Sequence, residues 1–150
     1  MSIEELYRDV ILDHNRNPRN RGTLEHPDAH AEGINPLCGD ELQLDLRLDG
    51  DRIVDVAIQG QGCSISQSSA SMMSQAIKGK TLDEVGDLIS TFKAMMDIET
   101  DPARAGLDPD RPGALLGDLE ALQGVRKFPV RIKCANLAWT TLAEALQGRR

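Results

Sequence analysis

Residues 42–58 read Leu42-Gln43-Leu44-Asp45-Leu46-Arg47-Leu48-Asp49-Gly50-Asp51-Arg52-Ile53-Val54-Asp55-Val56-Ala57-Ile58, and this stretch decides the fold. Leu42, Leu44, Leu46 and Leu48 alternate with Gln43, Asp45 and Arg47; beyond the turn, Val54, Val56 and Ile58 alternate with Asp55 and Ala57. Successive side chains on a strand point to opposite faces, so each run predicts a strand with one apolar face. Asp49-Gly50 between two such runs predicts a tight hairpin. A pair that is apolar on one side and polar on the other predicts an antiparallel sheet covered by helices on a single face.

Working outward, residues 23–40 read as loop, with one short edge strand near Ala29–Ile34. Before them, Ser2-Ile3-Glu4-Glu5 forms a capping-box pattern, and Ile3, Leu6, Val10 and Ile11 follow at helical spacing. That helix is predicted to end near His14, ahead of the turn-rich Asn15–Gly22. After the hairpin, Gly60-Gln61-Gly62 ends the strand, and Ser64–Lys78 predicts a helix with Ala70, Met73 and Ile77 inward and Gly79 as its stop. Thr81-Leu82-Asp83-Glu84 is a second capping box, opening a helix that carries Leu82, Val85, Leu88, Ile89, Phe92 and Met96. Met72, Met73, Met95 and Met96 read as core fillers. Residues 98–116, rich in proline and acids at their start, predict an exposed excursion; a short helix near Gly117–Leu122 and a last helix from about Cys134 to Leu146 complete one domain spanning 1–150. The expected class is α+β, with about three antiparallel strands.

The chain has 150 residues, 40% of them hydrophobic, and a net charge of −7, which is ordinary for one folded unit. No run approaches the roughly 20 apolar residues of a membrane span. The acidic opening MSIEELYRDV lacks the basic and apolar regions of a secretory signal, so a cytoplasmic protein is expected. The acidic balance and only four aromatic residues (Tyr7, Phe92, Phe128, Trp139) argue against nucleic-acid binding.

The three cysteines carry the chemistry. On residue type alone, each reads equally as a buried apolar side chain or as a ligand. Their neighbours favour ligands, because all three lie where the chain turns: Cys38 before the first hairpin strand, Cys63 after the second and at the mouth of a helix, Cys134 at the expected mouth of the last helix. A loop before one strand and a loop after its antiparallel partner share one end of the sheet, so Cys38 and Cys63 are expected to be neighbours. A helix N-terminus favours a thiolate, and Arg131 and Lys133 add positive charge beside Cys134. Gly39 gives the chain between Cys38 and Asp40 the freedom to bring both side chains to one point. Three thiolates and a carboxylate suit tetrahedral zinc or the iron of an iron–sulfur cluster. His14, His26 and His30 fall outside the cysteine blocks and read as surface or capping residues. The serines between Ser64 and Ser74 lack a nucleophile elbow and a paired histidine, and read as capping and close-packing residues.

Asn35-Pro36-Leu37-Cys38-Gly39-Asp40, Gly60-Gln61-Gly62-Cys63-Ser64-Ile65-Ser66 and Arg131-Ile132-Lys133-Cys134-Ala135-Asn136-Leu137-Ala138-Trp139 together resemble the IscU/NifU-type iron–sulfur assembly family, as does the opening Tyr7…Asp13-His14…Asn17-Pro18-Arg19-Asn20. Gly117–Val125 is similar to a segment carried by the SufU branch, and Lys133 stands where IscU-type scaffolds have a histidine. Phe128-Pro129-Val130-Arg131-Ile132 replaces the scaffolds' chaperone-docking segment. The resemblance implies an iron–sulfur cluster assembly protein of the SUF system with zinc held by Cys38, Asp40, Cys63 and Cys134. It also implies sulfur transfer from a pyridoxal-phosphate-dependent cysteine desulfurase of SufS type, with Cys38 as persulfide acceptor once the partner's histidine replaces it as ligand. A downstream SUF scaffold or apo-proteins would take the sulfur on, and Arg131 and Lys133 would support the ligands or dock the partner. The alternative implied by the wider family is a scaffold that assembles an iron–sulfur cluster on the same ligands and transfers it to apo-proteins.

Overall fold

The computed structural model describes residues 3–36, 39–96, 119, 121, 122, 125 and 128–147. Helix α1 (Ile3–Arg16) precedes strands β1 (Ala29–Asn35), β2 (Asp40–Asp49) and β3 (Arg52–Gln61); helices α2 (Ser64–Ile77), α3 (Leu82–Met96) and α4 (Pro129–Gln147) follow. The strands form one antiparallel sheet in the order β1-β2-β3. The expected excursion at 98–116 lies outside the described residues; of the helix expected near Gly117–Leu122, Leu119, Ala121 and Leu122 are buried in short 3₁₀ turns.

The hairpin forms where the alternation places it, with Leu44 opposite Ile58, Leu46 opposite Val56, and Gly50 in the turn at φ +63°. One expectation fails. Val54 was expected inside with Val56 and Ile58, but it is 40% exposed while Ile53 is fully buried. Arg47 pairs with Asp55 and Leu48 with Ile53, so Val54 is an extra, unpaired residue in β3. That bulge reverses the alternation locally and turns Ile53 inward.

The inner face of β1 is Ala29, Ala31, Gly33 and Asn35, small enough for α4 to lie directly on the strand. A Cβ at Gly33 would stand 2.1 Å from Thr141 Oγ1 and 3.0 Å from Leu137 Cδ1. Helix α2 covers β3 and packs between α1 and α4. Its serines make close approach compatible with satisfied hydroxyls: Ser69 Oγ donates to the Ala135 carbonyl, and Ser74 Oγ to the Ser71 carbonyl, both at 2.7 Å. Ser71 Oγ lies 2.8 Å from His14 Nδ1 and accepts the Arg19 N–H at 2.8 Å. His14 is therefore a buried residue of the α1–α2 seam, not the surface or capping residue expected. Leu44, Leu46 and Ile53 of the sheet, Met72 and Met73 of α2, and Met95 and Met96 of α3 are almost wholly buried, each contributing about 1.5–3 kcal/mol relative to exposure. Phe92 of α3 stacks on Trp139 of α4 with centroids 4.5 Å apart. No helix among the described residues is long and apolar enough to cross a membrane.

Candidate metal centre

The β1–β2 connection and the β3–α2 junction meet at one end of the sheet, because Glu41 pairs with Gln61. Asp40, the first residue of β2, is fully buried there. Its Oδ1 accepts the backbone N–H of Cys63 at 2.8 Å, and its Oδ2 lies 3.8 Å from Cys63 Sγ. Gly62 makes this approach sterically feasible: it adopts φ +151°, and a Cβ there would lie 2.3 Å from Asp40 Oδ1. Gly39, at φ +70°, occupies the left-handed region, a use of the conformational freedom expected of it between Cys38 and Asp40.

Cys63 is the N-cap of α2, in extended conformation (φ −70°, ψ 164°), with Sγ accepting the Ser66 N–H at 3.5 Å. The sulfur thus sits at the positive end of a helix of 14 residues. Cys134 is different. The sequence placed it at a helix mouth, but α4 begins at Pro129, a residue suited to a first helical position because its missing N–H has no partner to lose. Cys134 consequently lies in the second turn, fully buried, and the helix end does not act on it as expected. Asn35 Nδ2 donates to its Sγ at 3.9 Å.

Asp40, Cys63 and Cys134 each offer a ligand atom, and these atoms lie within 4.8 Å of one another. Zn–S and Zn–O bond lengths imply ligand–ligand edges of about 3.3–3.8 Å in a tetrahedral site, so the cluster is close to that size. Its donors also match: two thiols and a carboxylate whose second oxygen faces sulfur fit zinc or another thiolate-binding metal. Cys38, the expected fourth ligand, lies outside the described residues. Arg131 and Lys133 are both exposed on the first turns of α4. None of the three histidines joins the cluster: His14 is in the core seam, His26 is exposed, and His30 pairs with Asp45 at 2.6 Å on the outer face of the sheet. Gly62 and Asn35 shape the centre without having been expected to. The signals for both were in the chain: a glycine directly before Cys63, and an amide at the inner-face position that follows Ala29, Ala31 and Gly33 in steps of two.

The chain that folds into this three-stranded antiparallel sheet under helices, with an aspartate and two cysteines gathered at one sheet end, matches the family model described as the NifU-like N terminal domain over residues 6–135. The chain belongs to this family. Within it, the chain is 46% identical over 145 residues to the zinc-dependent sulfurtransferase SufU of Bacillus subtilis strain 168, covering 97% of this chain and 92% of that protein. It is 39% identical over 145 residues to the iron–sulfur cluster assembly scaffold protein IscU of Streptococcus pyogenes serotype M1, covering 97% and 85%. Among solved structures, a candidate iron–sulfur cluster assembly scaffold for the SUF system from Fervidobacterium islandicum AW-1 superimposes with a TM-score of 0.80 at 34% identity, over 97% of this chain and 99% of that one.

Proposed function

We propose that this protein is a zinc-bound sulfur acceptor of iron–sulfur cluster assembly in the SUF system, working in the cytoplasm, where thiols stay reduced. It takes a persulfide sulfur from a pyridoxal-phosphate-dependent cysteine desulfurase of SufS type and passes it to a downstream SUF scaffold or to apo-proteins. The observation that carries this reading is the cluster of Asp40, Cys63 and Cys134 at one sheet end, in a chain similar to a zinc-dependent sulfurtransferase. Cys38, Asp40, Cys63 and Cys134 would hold the zinc, and a bound zinc keeps its thiols deprotonated.

The chain's own residues divide the work. Asp40 commits Oδ1 to the Cys63 N–H, so it offers one oxygen to the centre. Cys63 caps α2 and Cys134 lies within α4, whereas Cys38 falls, in sequence, between β1 and β2. A ligand on a connection suits delivery into a partner's site, and Cys38 is the acceptor. Its thiolate attacks the outer sulfur of the donor's persulfide. An S–S bond forms at Cys38 Sγ as the donor's S–S bond breaks, and the donor cysteine leaves with the electron pair as a thiolate. The exposure of Arg131 and Lys133 supports a role in docking the partner.

Incubation with desulfurase and cysteine, followed by peptide mass spectrometry, should place about one extra sulfur on the peptide holding Cys38, as thiolate attack on a persulfide requires. Sulfur on Cys63 or Cys134 instead, with Cys38→Ala still active, would overturn the assignment. The similarity to an IscU scaffold favours a second reading on the same ligands, cluster assembly and transfer. Protein purified without oxygen separates the two: a colourless sample with about one zinc per chain supports transfer, and a brown one with thiolate–iron absorption supports scaffolding.

A further inference from the structure

Every second residue of β1 lies on the inner face of the sheet, against which α4 packs, and three of the four are alanine or glycine. The fourth, Asn35, breaks the pattern with an amide, on a residue only 8% exposed. Burial of an amide is costly unless its polar atoms are bonded, so a small apolar residue would be the easier choice if packing were the only demand. The main chain of Asn35 pairs with Asp40, the carboxylate of the centre, and its side chain donates to Cys134 Sγ across the sheet–helix boundary at 3.9 Å. One residue therefore spans from the strand that carries one ligand to the helix that carries another.

We infer that Asn35 is a positioning residue of the metal centre, whose buried amide N–H fixes the orientation of the Cys134 sulfur relative to Asp40 and stabilises charge on that sulfur. The inference rests on the metal reading above. A metal-bound thiolate keeps lone pairs that accept a hydrogen bond, so this contact persists in the loaded protein and acts on the metal through the ligand. The placement explains how a cysteine in the second turn of α4, remote from the helix N-terminus, is made a suitable thiolate ligand. The donor that Cys63 finds in its own helix at Ser66 is supplied to Cys134 from a neighbouring strand.

The test compares the full chain with Asn35→Asp and Asn35→Ala. Asn35→Asp keeps the shape and exchanges the donor for a carboxylate, while Asn35→Ala removes the amide. Zinc affinity is measured by competition with a chromophoric chelator, and the sulfur-to-cobalt charge-transfer band is recorded after loading with cobalt(II). Loss of a partner to a ligand typically weakens metal binding about 10–100-fold, so Asn35→Ala should fall in that range and Asn35→Asp should lose more through repulsion between carboxylate and thiolate. The cobalt band should move to lower energy in Asn35→Ala, because a thiolate without its donor is easier to oxidise; a role in packing alone would not shift it. If the parent binds both metals and the variants match it within about twofold, with the band unmoved, the inference is wrong and the metal reading survives. If the parent binds neither metal, both fall together.

Discussion

The two ends of the sheet are closed by different means. At the hairpin end the main chain does the closing: Ile53 N–H donates to the Lys80 carbonyl at 2.9 Å, Gly79 N–H to the Ile53 carbonyl at 2.7 Å, and Leu82 N–H to the Asp51 carbonyl at 2.7 Å. The capping box adds Glu84 N–H to Thr81 Oγ1 at 3.2 Å and Thr81 N–H to Glu84 Oε1 at 3.1 Å. At the other end, side chains hold the elements together: Asp40 accepts the Cys63 N–H, and Asn35 donates to Cys134 Sγ. Backbone closure is indifferent to ligands, whereas closure through carboxylate and sulfur invites a metal to complete it. The difference separates a folding end from a functional end within one small sheet.

The largest expected effect lies at the folding end. Ile53→Ala removes a fully buried side chain and should cost about 2–5 kcal/mol in urea unfolding, while zinc per chain stays at the parent value. Equal loss of zinc would show that the two ends behave as one cooperative unit. The converse variant is Gly62→Ala, whose Cβ meets Asp40 Oδ1 and whose φ of +151° disfavours a side chain. It should cost about 1–3 kcal/mol and displace the carboxylate, so zinc per chain should drop well below that of Ile53→Ala. Retention of full zinc would remove Gly62 from the account of the centre.

The smallest effect lies between the ends. The hydrogen bond to the Asp45 carboxylate holds the His30 imidazole above its usual pKa, against the opposing effect of burial and with the charges of Asp45 and Glu32 adding to the rise. Asp45 also accepts the Leu24 N–H at 3.1 Å, which ties the incoming loop to the outer face. A folded-state pKa raised above the unfolded value means that the pair stabilises fully below the unfolded pKa, about 6.5, and that this contribution fades as pH rises through the folded one. Because His30 is about half exposed (47%), solvent screening holds the pair below about 1 kcal/mol. His30→Ala should therefore be less stable than the parent in urea at about pH 5.5, with the gap closing by about pH 8.5; a gap independent of pH would contradict the pairing.

The folding end was largely legible in the sequence, because a period of two and an Asp-Gly turn act locally. Val54 escaped because Ile53 and Val54 are adjacent and both β-branched, so nothing in their identities shows which of them a bulge turns outward. His14 follows Val10 and Ile11 at helical spacing and so shares their inner face; its polar identity concealed a burial that the periodicity implied. At the functional end, hairpin pairing was enough to bring Asp40 to Cys63. Nothing in the spacing brings Cys134 to them, since that depends on how α4 crosses β1 and on the small residues that let it approach. The start of α4 was readable at Pro129, a residue suited to a first helical position, five residues before the start expected at Cys134.

Zinc K-edge X-ray absorption on the purified full chain reads the ligand set of Cys38, Asp40, Cys63 and Cys134 without recourse to activity. The expected result is a four-coordinate shell of three sulfurs at about 2.3 Å and one oxygen at about 2.0–2.2 Å, with one sulfur lost in each of Cys38→Ser, Cys63→Ser and Cys134→Ser variants that retain metal. A shell of nitrogen and oxygen alone, or one whose sulfur count is unchanged in those variants, would contradict it.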